Sequence, residues 1–66
     1  MEIFLNGKTQ QIENDCHIAA LIKQLNIENK RLAVEVNLEI VPRSQFESHV
    51  LSAGDKVEIV QAIGGG

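Results

Sequence analysis

The sequence predicts an α+β fold in which four or five strands form one mixed sheet and a single main helix covers one of its faces. Three observations lead to this prediction. An Asn-Gly pair at residues 6–7 joins two β-prone segments, apolar residues recur at helical spacing between residues 18 and 25, and a strongly β-prone segment occupies residues 56–62. Because the chain has only 66 residues, one helix and one small sheet account for nearly all of it.

The first two strands are predicted to form a hairpin. Alternation along residues 2–6 puts Phe4 on the face opposite to Ile3 and Leu5. The Asn-Gly pair that follows suits a type I′ turn, because both central residues of that turn need a positive φ. Residues 9–13 form the return strand, and their weak hydrophobicity indicates a strand at the edge of the sheet.

The main helix is predicted over residues 16–26, after a cap at Asn14-Asp15. A short polar side chain there can accept hydrogen bonds from the first unpaired amides of the helix. The apolar side that faces the sheet consists of Ile18, Leu21, Ile22 and Leu25. A polar connection at residues 27–31 leads to the second half of the sheet.

Two short strands open the second half. The first covers residues 32–37, with Leu32, Val34 and Val36 on one face. The second, Ile40-Val41, stops at Pro42, because proline cannot donate a hydrogen bond to a neighbouring strand.

A crossover and the final strand complete the predicted sheet. Residues 43–51 form a short helical turn and a crossover, with Phe46 and Val50 facing the core. The last strand, 56–62, then lies beside the first strand and parallel to it at the centre of the sheet, which is the β-grasp, or ubiquitin-like, arrangement. We therefore expect residues 1–66 to form a single β-grasp domain with a flexible C-terminal tail at 63–66.

Composition excludes several classes of function. Nine acidic and six basic residues give a net charge of −3, and neither a Lys/Arg cluster nor any Trp or Tyr is present to bind nucleic acid. No apolar run is long enough to span a membrane, and the N-terminus lacks the features of a signal peptide. One Cys and two His are poor material for a disulfide or a structural metal site. We expect a reduced, cytoplasmic, monomeric protein without a bound metal.

The glycine tail is the feature that carries most chemical information. The chain ends Ile63-Gly64-Gly65-Gly66, and glycine adopts extended backbone without steric cost, so the tail is thin enough to thread a narrow channel. It can place the terminal carboxylate at the reactive centre of an enzyme. A carboxylate becomes a good electrophile only when one oxygen becomes a leaving group, which adenylation by ATP achieves. A frayed terminus is the alternative interpretation of the same residues.

Three segments carry a family resemblance: the hairpin around Asn6-Gly7-Lys8, residues 34–43, and residues 54–60 with the glycine tail. The second reads Val-Glu-Val-Asn-Leu-Glu-Ile-Val-Pro-Arg, and the third begins Gly-Asp-Lys-Val-Glu-Ile-Val. Over its whole length the chain resembles the ThiS family, the sulfur carriers of thiamine biosynthesis. Ubiquitin-like modifiers and the MoaD carrier of molybdopterin synthesis share the Gly-Gly ending. MoaD is usually longer and lacks the Ile-Val-Pro-Arg segment. Gly64 stands where some ThiS members have Ala.

The resemblance implies a mechanism centred on Gly66. A ThiF-like adenylating enzyme uses ATP and Mg²⁺ to activate the Gly66 carboxylate, and a cysteine-derived persulfide then replaces AMP to leave a thiocarboxylate. A ThiG-like thiazole synthase takes the sulfur, while Ile63, Gly64 and Gly65 thread the active sites of these partners. The carrier is then a cosubstrate with no catalytic residue or bound cofactor of its own, and not an enzyme.

Docking residues are predicted from the alternation of the strands. If Ile3 and Val57 face the helix, Phe4 and Val60 face outward, and the two central strands would bring them close together as an apolar docking patch. Ubiquitin-like folds commonly use this face, so the resemblance points to the same surface. Arg43, which follows Pro42, is either a partner contact or an ordinary surface charge.

Three functional hypotheses remain open at this point. The first is the sulfur carrier, for thiamine or, less well matched, for molybdopterin. The second is a ubiquitin-like modifier whose tail is joined to a lysine amine. The third is a small enzyme using Cys16 and His17, because a helix N-terminus can lower the pKa of a half-exposed thiol. His49 has no acidic partner evident from its spacing, so neither histidine is predicted to be a ligand or a base.

Overall fold

The computed structural model describes residues 1–61 and confirms the β-grasp fold with five strands. The elements are β1 (Glu2–Leu5), β2 (Lys8–Gln11), α1 (Ile18–Gln24), β3 (Leu32–Val36), β4 (Glu39–Val41), a 3₁₀ turn (Arg43–Gln45) and β5 (Lys56–Gln61). The strands are ordered β2-β1-β5-β3-β4, so β5 is the central strand and β2 lies at an edge, as expected. β1 and β5 are neighbours and run parallel. None of the helices within these 61 residues is long and apolar enough to cross a bilayer.

Both hairpins use the same tight turn. In the first, Asn6 has a φ of 50° and Gly7 a φ of 83°, which confirms the predicted two-residue turn with positive φ. In the second, Asn37 and Leu38 have φ values of 52° and 72°. A leucine in this left-handed region costs about 1–2 kcal/mol, because its Cβ approaches the following carbonyl oxygen. The β3–β4 turn is therefore strained, whereas the β1–β2 turn, with glycine at the equivalent position, is not.

The helix begins later than predicted. It covers Ile18–Gln24, and its N-cap is His17, whose Nδ1 accepts a hydrogen bond from the Ala20 N–H at 3.2 Å. The predicted cap at Asn14-Asp15 is wrong, because Asp15 has a φ of 62° and belongs to the turn that precedes the helix. Sequence preferences favour Asp and Asn at the cap, but here they serve the turn, and a histidine nitrogen takes the capping role.

The helix ends at Gln24, two residues before the predicted end near Asn26. Asn26 follows the C-cap with a φ of 59°, and its N–H donates to the Lys23 carbonyl at 3.0 Å. The Ile27 N–H donates to the Ile22 carbonyl at 3.2 Å. These two bonds form a Schellman motif, which satisfies carbonyls that the end of the helix would otherwise leave unpaired.

The core lies between the sheet and α1. Its most deeply buried side chains are Ile3, Ile18, Leu21, Val34 and Val57. Phe46 is 8% exposed and joins the core as predicted, but Val50 is 52% exposed and the prediction for it is wrong. The backbone of Val50 pairs with His17, so the next residue, Leu51, turns inward in its place. A shift of one residue in an extended segment exchanges the inward and outward side chains.

Asn6 ties the first hairpin to the central strand. Its backbone N–H donates to the Val57 carbonyl at 2.9 Å. Its side-chain Oδ1 accepts from the Ile59 N–H at 2.9 Å, and its Nδ2 donates to the Ile59 carbonyl at 3.2 Å. The amide side chain thus acts as one further peptide group and extends the β1–β5 pairing after the main chain has turned away.

Asn37 makes the equivalent contact at the beginning of β5. Its N–H donates to the Lys56 carbonyl at 2.8 Å, and its Oδ1 accepts from the Lys56 N–H at 3.0 Å. Its Nδ2 donates to Asp55 Oδ1 at 3.0 Å, and Asp55 Oδ2 accepts from the Ser52 N–H at 2.8 Å. Two asparagines with positive φ therefore bind β5 through side-chain hydrogen bonds, Asn37 at Lys56 and Asn6 at Ile59.

We predict that Asn6→Gly lowers the free energy of unfolding by about 1–3 kcal/mol, because it removes both side-chain hydrogen bonds to Ile59 and keeps the positive φ free of strain. Asn6→Asp is the matched variant. It keeps the acceptor for the Ile59 N–H but places a carboxylate against the Ile59 carbonyl, so it should also destabilise. Urea denaturation measures the free energy of unfolding of both variants. If Asn6→Gly is as stable as the unaltered protein, the side-chain hydrogen bonds from Asn6 to Ile59 do not stabilise the fold.

Candidate functional site

The central strand leads directly towards the glycine tail. The residues predicted to react or to thread partner sites, Ile63, Gly64, Gly65 and Gly66, lie outside the described residues, as does Ala62 at the end of the predicted last strand. β5 is described as far as Gln61, which pairs with Leu32 at the start of β3. At this end β5 is paired with β3 alone, because its pairing with β1 covers only Lys56 and Val57.

Phe4 and Val60 are exposed on the sheet face opposite to the helix, as the alternation predicted. Phe4 is 39% exposed and Val60 is 60% exposed, whereas Ile3 and Val57 are buried beneath them. Leu5 and Ile59 are partly buried against the core, which confirms the assignment of the two faces.

The two residues are not close neighbours, however, and that part of the prediction is wrong. The β1–β5 register places Phe4 beside Lys56, and Val60 lies four residues further along β5, a distance of about 13 Å along the strand. Glu58 stands between them on the same face. The alternation of side chains fixes the face of each residue, but it contains no information about the register between strands.

Phe4 borders a depression in this face. The depression has a volume of about 230 Å³, and its lining includes Gly7, Lys56, Val57 and Glu58. Gly7 contributes no side chain, and no heavy atom lies within 4 Å of the position that a Cβ would occupy. An aromatic side chain beside an open depression is the geometry by which an interface anchors a partner's side chain.

Arg43 lies away from this face. It is exposed in the 3₁₀ turn and lines a groove of about 360 Å³ between that turn and α1, on the helix side of the sheet. The same groove contains Lys30, and its apolar part is formed by Ala19, Ile22, Leu32 and Phe46. Leu32 pairs with Gln61, so the groove lies at the end of the sheet towards which β5 runs. The structure thus does not bring Arg43 together with Phe4.

Cys16 is a core residue. It precedes the helix cap and is 7% exposed, and its Sγ donates a hydrogen bond to the His17 carbonyl at 3.5 Å. Burial, and secondarily the negative charge of Glu13, raises the pKa of the thiol above its ordinary value of 9.0. The prediction of a half-exposed thiol with a lowered pKa is therefore wrong, because the helix starts two residues later than expected. A protonated thiol is a poor nucleophile.

The two histidines have structural contacts. His17 caps the helix through Nδ1, and the His49 carbonyl accepts from the Ile18 N–H at 3.1 Å. Within residues 1–61, no three His, Cys, Asp or Glu side chains come together as a possible metal site. The arrangement gives no support to the small-enzyme hypothesis.

Sequence reasoning missed the side-chain role of Asn6 and the outward position of Ile40. Asn6 was recognised as a turn residue, but its hydrogen bonds to β5 depend on a pairing between distant segments. Ile40 is 78% exposed and shares the outward face with Val60. Strict alternation with the buried Val41 was the signal that could have placed it.

The sheet has five strands, and its first and last strands, β1 and β5, lie side by side and parallel. One helix covers one face of the sheet and leaves the other exposed. This architecture defines a β-grasp protein of the ubiquitin-like class. Residues 3–66 match the family model described as the ThiS family. The chain therefore belongs to the ThiS family, the sulfur carriers of thiamine biosynthesis.

Individual relatives agree with this assignment. The chain is 32% identical to the sulfur carrier protein ThiS of Escherichia coli K12, over 100% of both chains. It is 39% identical to a thiazole synthase of Paramagnetospirillum magneticum over 66 residues, which are 100% of this chain and 20% of that protein. The chain thus spans about a fifth of the thiazole synthases it matches. A crystal structure of the thiamine biosynthesis protein ThiS from Geobacter metallireducens superimposes with a TM-score of 0.86, at 28% identity and 100% coverage of both chains.

We predict a specific pH dependence from Cys16. Because its pKa is raised in the folded protein, the unfolded chain releases the thiol proton first, and stability is lost as pH rises through the ordinary value of 9.0. The stability of the unaltered protein minus that of Cys16→Ala should therefore be constant near pH 7 and should decrease towards about pH 10. Chemical denaturation of both proteins across this range tests it, and a difference that stays constant or increases would contradict the raised pKa.

Proposed function

We propose that this chain carries sulfur on its C-terminal carboxylate and delivers it for thiazole formation in thiamine biosynthesis. The observation that carries the proposal is the family match over residues 3–66, which includes the terminal glycines. The position of β5 supports it, because a central strand is a rigid base from which a thin tail can enter a partner's active site. The relatives named thiazole synthase support an acceptor enzyme of that type, since each contains a segment like this whole chain.

The proposed chemistry takes place on Gly66. A ThiF-like enzyme, with ATP and Mg²⁺, joins the carboxylate oxygen to the α-phosphorus and releases pyrophosphate. The outer sulfur of a cysteine-derived persulfide then attacks the carbonyl carbon, and AMP leaves. A thiol reduces the resulting S–S bond, which frees the thiocarboxylate for a ThiG-like synthase. The chain supplies the acyl group and the binding surface, and the partners supply the catalytic groups, so it acts as a cosubstrate.

Docking is proposed on the bare sheet face. Phe4, with its neighbouring depression, and Val60 are exposed apolar side chains on that face. Arg43 would contact a partner from the other side of the sheet, at the end towards which β5 runs. A partner that receives the tail must surround this end, so contacts on both sides of the sheet are compatible with one complex.

The proposal requires Gly66 to be free and terminal. Incubation with a ThiF-like enzyme, ATP, Mg²⁺ and a persulfide donor should give the mass increase expected when sulfur replaces one oxygen of the Gly66 carboxylate. Deleting Gly66, or adding one residue after it, should abolish this increase, because the reacting carboxylate is moved or replaced. Circular dichroism should show an unchanged fold, because both changes lie beyond the core residues that the structure describes.

Intact-mass spectrometry measures the outcome. An extended variant that still gains sulfur at its C-terminus would refute the mechanism. Isopeptide conjugates to lysine in place of a thiocarboxylate would instead favour the ubiquitin-like modifier.

For docking, Phe4→Asp or Val60→Asp should weaken binding to the ThiF-like enzyme by about 2 kcal/mol or more, the range of interface hot spots. Stability should change little, because both side chains are exposed. Val50→Asp is the matched control, since Val50 is 52% exposed but lies in the crossover beside His17. Calorimetric titration measures the affinities, and equal losses for all three variants would argue against the sheet face.

A further inference from the structure

The central strand has one open side near the end that leads to the glycine tail. Strand β1 pairs with β5 only at Lys56 and Val57. The Asn6 side chain then bonds the Ile59 N–H and carbonyl, and the first hairpin reverses there. Within residues 1–61, no residue is described as pairing with β5 on the β1 side beyond Asn6, whereas β3 pairs with β5 as far as Gln61.

Gln61 directs its main-chain groups to this open side. Peptide groups of a strand point alternately to its two neighbours, so every second residue of β5 bonds on the β1 side. The Asp55 and Val57 carbonyls each accept there from an N–H group at 2.9 Å, and the main chain of Ile59 bonds the Asn6 side chain. Gln61 is the next residue of this series, about 7 Å further along the strand. We call its N–H and carbonyl, which have no partner among the described residues on that side, the Gln61 edge.

The Gln61 edge lacks the features that protect the two outer edges of the sheet. Proteins discourage strand pairing at an edge with charged side chains, proline or very short strands. β2 carries Lys8, and β4 has only three residues and is followed by Pro42. Residues 59–63 include neither a charged residue nor a proline. The open side of β5 is therefore suited to accept a further strand.

The distance to Gly66 determines which protein can reach this edge. Gly66 is five residues after Gln61, and an extended chain spans at most about 3.5 Å per residue, so the Gly66 carboxylate lies within about 18 Å of the edge. An enzyme that takes this carboxylate into its active site therefore has part of its surface beside Gln61. An extended segment on that surface can pair with the edge through its own N–H and carbonyl groups, as in other complexes formed by strand addition.

We infer that an extended segment of the adenylating enzyme pairs with the Gln61 edge as an additional strand. The inference rests on the proposed function, because it names a contact by which that enzyme receives the tail. It differs from docking on the bare sheet face, since the recognised groups are main-chain atoms at the side of a strand and the Gln61 side chain contributes nothing. Pairing would also fix the direction of the strand from which the tail continues.

Two substitutions separate the main chain from the side chain. Gln61→Pro removes the N–H and places a ring carbon on the open side, whereas Gln61→Ala removes the side chain and keeps the main chain. Gln61→Pro should raise the KM of the ThiF-like enzyme for the carrier at least about tenfold, and Gln61→Ala should leave it within about twofold. Urea denaturation should show little change in stability for either variant, because the Gln61 N–H does not bond β3.

A chemically synthesised carrier keeps the path of the tail unchanged. Proline also restricts the backbone, so an ester in place of the amide at Gln61 is needed to remove the N–H alone. An ester at Gln11 is the matched control: Ile12 exchanges both main-chain bonds with Met1, so the Gln11 N–H lies on the open edge of β2. The Gln61 ester should raise KM about fivefold with kcat within about twofold, and the Gln11 ester should leave both within about twofold.

Amide hydrogen exchange gives a direct readout of pairing. The Gln61 N–H should exchange more slowly in the complex with the ThiF-like enzyme than in the carrier alone, and the exchange of the Gln11 N–H should not change. Equal effects of the two esters on KM, or an unprotected Gln61 N–H in the complex, would overturn the inference.

Three further outcomes are decisive. An effect of the Gln61 ester on transfer to the thiazole synthase alone would overturn the inference. Sedimentation of the carrier alone would reveal a dimer, and a dimer that Gln61→Pro abolishes would overturn it too, because a second copy would then occupy the edge. Failure of the unaltered carrier to release pyrophosphate from ATP with the ThiF-like enzyme would instead refute the proposed function, so the two failures are distinguishable.

Discussion

The hydrogen bonds that hold β5 in the centre of the sheet are the constraint on which the rest of the structure depends. β5 is the last element within residues 1–61, yet β1 and β3 pair on either side of it, so the sheet is incomplete without it. Asn6 and Asn37 supply side-chain amides that imitate peptide groups and bond Ile59 and Lys56. Because both asparagines lie in tight turns, the two hairpins are fixed to β5 by the residues that reverse the chain.

The described residues form a folded domain whose potentially reactive side chains serve structural roles. The only cysteine is buried with a raised pKa, one histidine caps the helix, and the described residues offer no metal site. Nothing in residues 1–61 thus competes for the chemistry proposed for Gly66. The helix covers one face of the sheet and leaves the other exposed beside the strand that leads to the C-terminal segment.

Local sequence signals predicted the fold well and the site only in part. Asn6-Gly7 determines its turn through its own backbone preferences, and alternation placed Phe4 and Val60 on the correct face. The start of the helix was missed because Asp15 belongs to a turn and His17 is the cap. His17 also pairs with Val50, a contact between distant segments that no local pattern reveals. The distance from Phe4 to Val60, and the pairing of Glu35 with Glu58, depend on registers between remote strands, which no local pattern records.

Locally unfavourable features, namely a leucine with positive φ and exposed apolar side chains, occur together on the β3–β4 half of the sheet. The β1–β2 hairpin turns through Asn-Gly without strain, whereas the β3–β4 hairpin holds Leu38 at a φ of 72° with 81% of its surface exposed. Glu35 and Glu58, which stand opposite each other in the β3–β5 register, lie on the same half, beside the exposed Ile40. A domain this small has little stability to spare, and such departures tend to mark functional surfaces. Among the described residues, the strained turn and the exposed apolar side chain of this half therefore lie beside the strand that leads to the C-terminal segment.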